Sequence, residues 1–181
     1  MTHPEAQRWA ADVRIARYAA LAAAIHILEA GLPSPIPGIK PGLANIVTLI
    51  VLWRHGWKAA AAVTLLRVAL SGLVLGTLFA PTFWLSLGGA LAALGALLAG
   101  AAWRRYLPRW APGPLGLSLL AACAHIHGQF WLAWAWFIPH PGLGALLPLL
   151  QGAAIASGLL TGLLSARVLQ RMQDLEQRLP D

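Results

Sequence analysis

Four residues between positions 29 and 67 bring chemistry into an otherwise apolar sequence: Glu29, Lys40, Asn45 and Arg67. Glu29 supplies a carboxylate, Lys40 and Arg67 supply cations, and the Asn45 amide both donates and accepts hydrogen bonds. Ionisable groups within membrane-length apolar runs are costly and normally face protein or water. Arg67 follows Lys58 by nine residues, which lifts it roughly 13 Å into a bilayer at 1.5 Å per helical residue. Glu29 falls near the outer end of the first apolar run, within reach of an Arg side chain. A Glu29–Arg67 pair is therefore expected. Two roles stay open for it: a buried ion pair that fixes helix register, or one wall of a ligand site near the outer leaflet.

The stretch "GLPSPIPGIKPGLANI", residues 31–46, separates two apolar runs. Its prolines force extended backbone and remove donors. Non-helical chain at membrane depth is tolerated only where protein or water satisfies it. The expectation is a rigid lid over an outward-facing mouth, formed by Pro33, Pro35, Pro37 and Gly38. A short helix would then restart at Pro41, a residue suited to a first helical turn. Its free N–H groups and positive dipole end, with Lys40 beside them, would attract an anion. An ordinary outer loop with turn residues is the plainer alternative.

A second polar cluster, "HIHGQF", spans His125 to Phe130. His125 and Gln129 are four apart and share a helix face; His127 shares another with Trp131. The two histidines point apart and make a poor metal pair, so no metal site is expected. A site joining His26, Glu29 and one of these histidines is conceivable in three dimensions, although interhelical hydrogen bonds are the commoner fate of such residues. The same holds for Gln151. There is no P-loop, hydrolase triad or zinc-protease motif, and the aspartates, Asp12, Asp174 and Asp181, all lie near the termini. No catalytic residue or bound cofactor is expected.

The elements that must position these groups follow from composition. Of 181 residues, 59% are hydrophobic and 10% are charged, against about 25% charged in soluble domains. The fold class is all-α: a polytopic membrane protein built as a six-transmembrane-helix bundle, in one domain. The expected spans are about Ile15–Ala30, Pro41–Trp53, Trp57–Ala80, Thr82–Trp103, Leu115–Ile138 and Leu143–Ala166. Six spans place Arg8, Arg14 and Arg17, Arg54 and Lys58, Arg104, Arg105 and Arg109, and Arg167, Arg171 and Arg178 on one side. Only Lys40 falls on the other. By the positive-inside rule both termini are cytoplasmic and the location is the cytoplasmic (inner) membrane. Residues 167–181 continue the last helix into the cytoplasm. The net charge of +7 is thus assigned to topology and anionic lipid rather than nucleic acid. The single cysteine, Cys123, permits no intrachain disulfide and reads as a packing residue.

Small residues recur at helical spacing. Gly72 and Gly76, and Gly158 and Gly162, form GxxxG pairs, and Ala16, Ala20 and Ala24 line one stripe of the first span. Such residues let helices approach closely. They serve either internal packing or the docking of a partner membrane protein.

The run from Glu29 through Ile46, "EAGLPSPIPGIKPGLANI", resembles the signature of the Gx transporter family, also named heptaprenyl diphosphate synthase component I. The matching positions are Glu29, Pro33, Pro37, Gly38, Lys40, Gly42, Leu43, Ala44 and Asn45. The segments "LLRVALSGLVLG" and "LSLGGAL" also look like the family, bringing in Arg67, Ser86 and Gly88; Pro41 departs from the apolar residue expected there. The resemblance covers about residues 15–170. Its enzyme name implies a noncatalytic subunit of a polyprenyl diphosphate synthase. It also implies similarity to the S-components of energy-coupling factor transporters. Those have six helices, a capping loop after the first helix, a site near the outer leaflet, and an alanine stripe that docks a membrane coupling protein with ATPases. Family members' association with flavin and electron-transfer genes makes a flavin a candidate ligand.

The expectation is a non-enzymatic substrate-capture or transport protein for a small anionic molecule. Its ligand site would draw on Glu29, Lys40, Asn45, Arg67, His125 and Gln129. The alternatives are the synthase subunit and a structural anchor in a redox complex; a metal carrier fits poorly.

Overall fold

The computed structural model describes residues 3–32 and 42–178. Five α-helices are found among them: α1 (His3–Gly31), α2 (Ala44–Val74), α3 (Pro81–Tyr106), α4 (Pro114–Leu132) and α5 (Leu147–Arg178). A π-helical turn, Ala133–Phe137, extends α4, and 3-10 turns at Pro108–Trp110 and Pro141–Leu146 lead into α4 and α5. No strand occurs among the described residues.

The expected count of six helices is not supported. The second and third expected spans are two arms of one element, α2, broken at a single residue. Gly56 has φ 81° and ψ −179°, a combination open essentially to glycine alone. The chain folds back there. Thr48 and Thr64 hydroxyls lie 3.5 Å apart, and Arg67 bonds to Asn45. In a straight helix the latter pair would be separated by roughly 33 Å. The arms therefore run antiparallel, joined by a turn too tight to interrupt helical hydrogen bonding for long.

The first arm is the centre of the molecule. Ala44 and every residue from Val47 to Leu52 are buried, so the arm is covered all round, as a core helix must be. Val47, Leu49, Val51 and Leu52 pack with Ala22 of α1, Ala60 and Val63 of the second arm, Ala93, Leu94 and Leu97 of α3, and Leu117 and Ala121 of α4. Glycines allow the closest approaches. Gly128 of α4 faces Ala92 and the Gly88 carbonyl of α3, and Gly158 and Gly162 of α5 face Leu115, Ser118 and Leu119 of α4. Gly72 packs on Phe83. The Gly158/Gly162 pair thus serves packing within the bundle. The expected stripe Ala16, Ala20 and Ala24 lies on the exposed face of α1, while Ala19, Ala22 and Ala23 turn inward.

Successive helices run up and down. Tyr18 meets His55, Arg54 pairs with Glu176, and the Arg104 guanidinium lies over Trp53. The part of α1 around Tyr18, the Gly56 turn and the ends of α3 and α5 therefore gather at one end of the bundle. That end carries most of the basic residues. The other end gathers the end of α1, the start of α2 and an aromatic chain through Phe79, Phe83, Trp84 and Trp136.

Four segments are long and apolar enough to cross a membrane: Ala44–Val74, Pro81–Tyr106, Pro114–Phe137 and Pro141–Arg178. α1 is not among them, because Arg14, Arg17 and Glu29 bracket its apolar stretch. Large apolar side chains cover the outer surface, among them Leu65, Leu73 and Val74 on α2, Leu91 on α3 and Leu159, Leu160 and Leu163 on α5. So extensive an apolar exterior is a lipid-facing one. The protein is an all-helical membrane protein.

Candidate functional site

The first arm of α2 is short. About twelve residues, at 1.5 Å each, give roughly 18 Å of rod, well under the ~30 Å of a bilayer core. The surrounding helices are longer and continue past its start. They enclose a cavity of about 530 Å³. All five helices contribute: His26, Glu29 and Ala30 from α1, Asn45 and Arg67 from α2, Phe83 and Ser86 from α3, His125 and Gln129 from α4, and Ala153, Ala154 and Ser157 from α5.

Five of the six ligand-site residues expected from the sequence meet here: Glu29, Asn45, Arg67, His125 and Gln129. The sixth, Lys40, lies outside the described residues, as do Pro33, Pro35, Pro37 and Gly38 of the expected lid and Pro41.

Within the cavity the pairing differs from expectation. Glu29 forms no ion pair with Arg67. Its Oε1 instead accepts the Leu43 backbone N–H at 2.6 Å. The carboxylate caps the start of α2, where free N–H groups and the helix dipole favour negative charge. That helix terminus was expected to hold a ligand anion; a protein carboxylate holds it instead. Arg67 is only 4% exposed, and its Nη1 donates to Asn45 Oδ1 at 3.1 Å. Its Nε is buried without a hydrogen-bond partner. No carboxylate of the described residues is within ion-pair distance of it.

His125 packs so tightly on α3 that a Cβ at Gly89 would sit 2.8 Å from its ring and 2.7 Å from Gln129. Its Nδ1 is buried without a partner. His127 points elsewhere: it is exposed, and its Nδ1 bonds the Cys123 carbonyl oxygen at 2.9 Å. Gln151 lies outside the cavity, and its Oε1 lacks the interhelical partner expected of it. Among the described residues no group of three or more His, Cys, Asp or Glu is placed to hold a metal.

Sequence reasoning did not assemble Ser71, Thr77, Thr82 or Ser157, all of which line the cavity. Ser71 was legible in principle, being one helical turn beyond Arg67. It is turned back, however, donating to the Arg67 carbonyl at 2.7 Å. Ser157 carries no local signal, since its place is set by α5 packing on α4.

Fold and cavity together define a helical membrane protein with one buried guanidinium facing a ligand-sized, largely apolar chamber. The family model described as heptaprenyl diphosphate synthase component I matches residues 18–168. The chain belongs to that family. No curated protein and no solved structure matches it.

Proposed function

We propose that this protein is a membrane-embedded binding subunit that takes a small molecule bearing an anionic group into the five-helix cavity. Arg67 carries the reading. It is a buried cation on the wall of the chamber with a neutral partner, Asn45, and no carboxylate of the described residues within ion-pair distance. A buried charge without a directly paired counter-ion is costly, and such residues in membranes mark ligand or ion paths. The volume lies within the roughly 300–1,000 Å³ typical of ligand sites. Gln129, Ser86 and Ser157 offer neutral hydrogen bonds, and Leu75, Phe83 and Ile126 offer apolar contact.

The finer reading is capture for transport, in the manner of an S-component. In sequence, Lys40 falls between Ala30 and Gly42, two residues that line the cavity. In this reading Lys40 would add a second cation, and Pro33, Pro35, Pro37 and Gly38 would form the lid. The exposed Ala16, Ala20 and Ala24 face would receive a membrane coupling protein with ATPases. The basic end of the bundle faces the cytoplasm. A phosphorylated flavin, which carries an anionic group, is one candidate ligand.

The family match favours a second reading, a noncatalytic membrane component that assembles with other parts of a heptaprenyl diphosphate synthase. No carboxylate-rich motif for magnesium diphosphate chemistry is present in this chain.

The two readings separate by purification from membranes. The binding reading expects a small anionic molecule to stay with the isolated chain, and Lys40→Ala to weaken its retention without loss of fold. The synthase reading expects a soluble prenyl synthase to co-purify and its product length to change when this chain is removed. An empty chain that brings the synthase down would replace the first reading with the second.

A further inference from the structure

A smaller cavity, of about 230 Å³, lies at the opposite end of the bundle, lined by Leu52, Trp53, Ala101, Arg104 and Leu117. Its base is apolar and buried, with Leu52 and Leu117 at 8% and 1% exposure. Its rim is cationic and aromatic. The Arg104 guanidinium sits 3.8 Å from the centroid of the Trp53 ring, which fixes it at the mouth. Arg105 and Arg109 follow on the same exposed segment, among the exposed Trp103, Tyr106 and Trp110. Aromatic side chains of this kind settle at the headgroup level of a bilayer.

Among the described residues no carboxylate pairs with this rim. No acidic residue occurs between Glu29 and Asp174. Arg104, Arg105 and Arg109 make no ion pair among the described residues. The slot is smaller than the roughly 300 Å³ lower bound of small-molecule sites, too small for a whole cofactor but suited to a length of hydrocarbon chain. We propose that it binds an amphiphile with a phosphate head. One chain would enter between Leu52, Ala101 and Leu117, and Arg104, backed by Arg105 and Arg109, would hold the head. The planar guanidinium fork matches phosphate oxygens. An anionic phospholipid and a polyprenyl diphosphate share this chemistry.

If Arg104 and Arg105 only offset the dipole at the end of α3, the identity of the lipid head is immaterial. The whole chain, exchanged into nanodiscs of equal phosphatidylglycerol and phosphatidylcholine and gently re-extracted, separates the cases by mass analysis of retained lipid. Enrichment of phosphatidylglycerol by about five-fold is expected, the effect of one cation near an anionic head. Arg104→Gln abolishes it, and so does Ala101→Leu, which fills the slot, with helicity checked by circular dichroism. Removing charge elsewhere, by Arg171→Gln with Arg178→Gln, leaves it intact. Added polyprenyl diphosphate that displaces the phospholipid supports the site and names its natural source. Failure to displace supports a phospholipid source. Equal retention of both phospholipids, or enrichment that survives Arg104→Gln, overturns the proposal.

Discussion

Asn45 and Arg67 are 22 residues apart in sequence and 3.1 Å apart in space, joined by a hydrogen bond from the guanidinium to the amide oxygen. The bond ties the start of one arm of α2 to the far part of the other. It closes the hairpin at the end opposite Gly56 and sets Arg67 into the cavity wall. Asn45→Ala leaves the buried guanidinium without this acceptor. It should cost about 1–3 kcal/mol, the usual range for a hydrogen bond to a charged group. Reversible unfolding in mixed micelles measures this; an unchanged midpoint would mean the bond is not maintained in solution.

Gly56 is the hinge of that hairpin. A Cβ there would meet nothing within 4 Å, so substitution tests backbone conformation alone. Gly56→Ala should destabilise the protein by about 1–3 kcal/mol, the cost of holding a non-glycine residue in this region. Thermal unfolding in detergent reads the loss, and stability equal to wild type would refute the single-residue reversal.

Glu29 caps α2 through the Leu43 N–H. Glu29→Ala should lower stability by roughly 1–2 kcal/mol, as the loss of a helix cap does. Glu29→Gln keeps an acceptor oxygen and should recover part of that. If both variants lost ligand binding yet kept full stability, the carboxylate would be serving a ligand and not the helix.

Gly89 lets two cavity-lining side chains, His125 and Gln129, pack close on α3. Gly89→Ala puts a methyl group where the His125 ring and Gln129 now lie, so both side chains must shift. Overpacking of this kind costs typically 1–3 kcal/mol. The stability loss should be smaller than for Gly128→Ala, whose new methyl meets the Gly88 backbone at 2.8 Å, because side chains yield more readily than backbone. The reverse order in chemical unfolding would count against the α3–α4 packing.

The helical membrane class was legible because apolar runs of membrane length leave few alternatives. The polar set was legible for the same reason: an ionisable residue in such a run, as at Glu29 or Arg67, stands out. Spacing also put His125 and Gln129 on one face and sent His127 to another. The helix count was not legible, because the reversal at Gly56 spends one residue, and a single glycine among polar neighbours resembles any short loop. Nor was the pairing within the cavity. Proximity suggested Glu29 with Arg67, whereas the uncapped N–H groups of α2 compete for the carboxylate and win. Ser157 could not have been found, since only the packing of α5 on α4 brings it to the chamber.

The central claim is that Arg67 holds the charge of a bound anion. The direct measurement is native mass spectrometry of the detergent-purified chain beside Arg67→Met, which keeps side-chain bulk and removes charge. The wild type should retain one small anionic molecule, and the folded variant should lose it. Equal retention by Arg67→Met, or retention of only neutral species by the wild type, would contradict the claim.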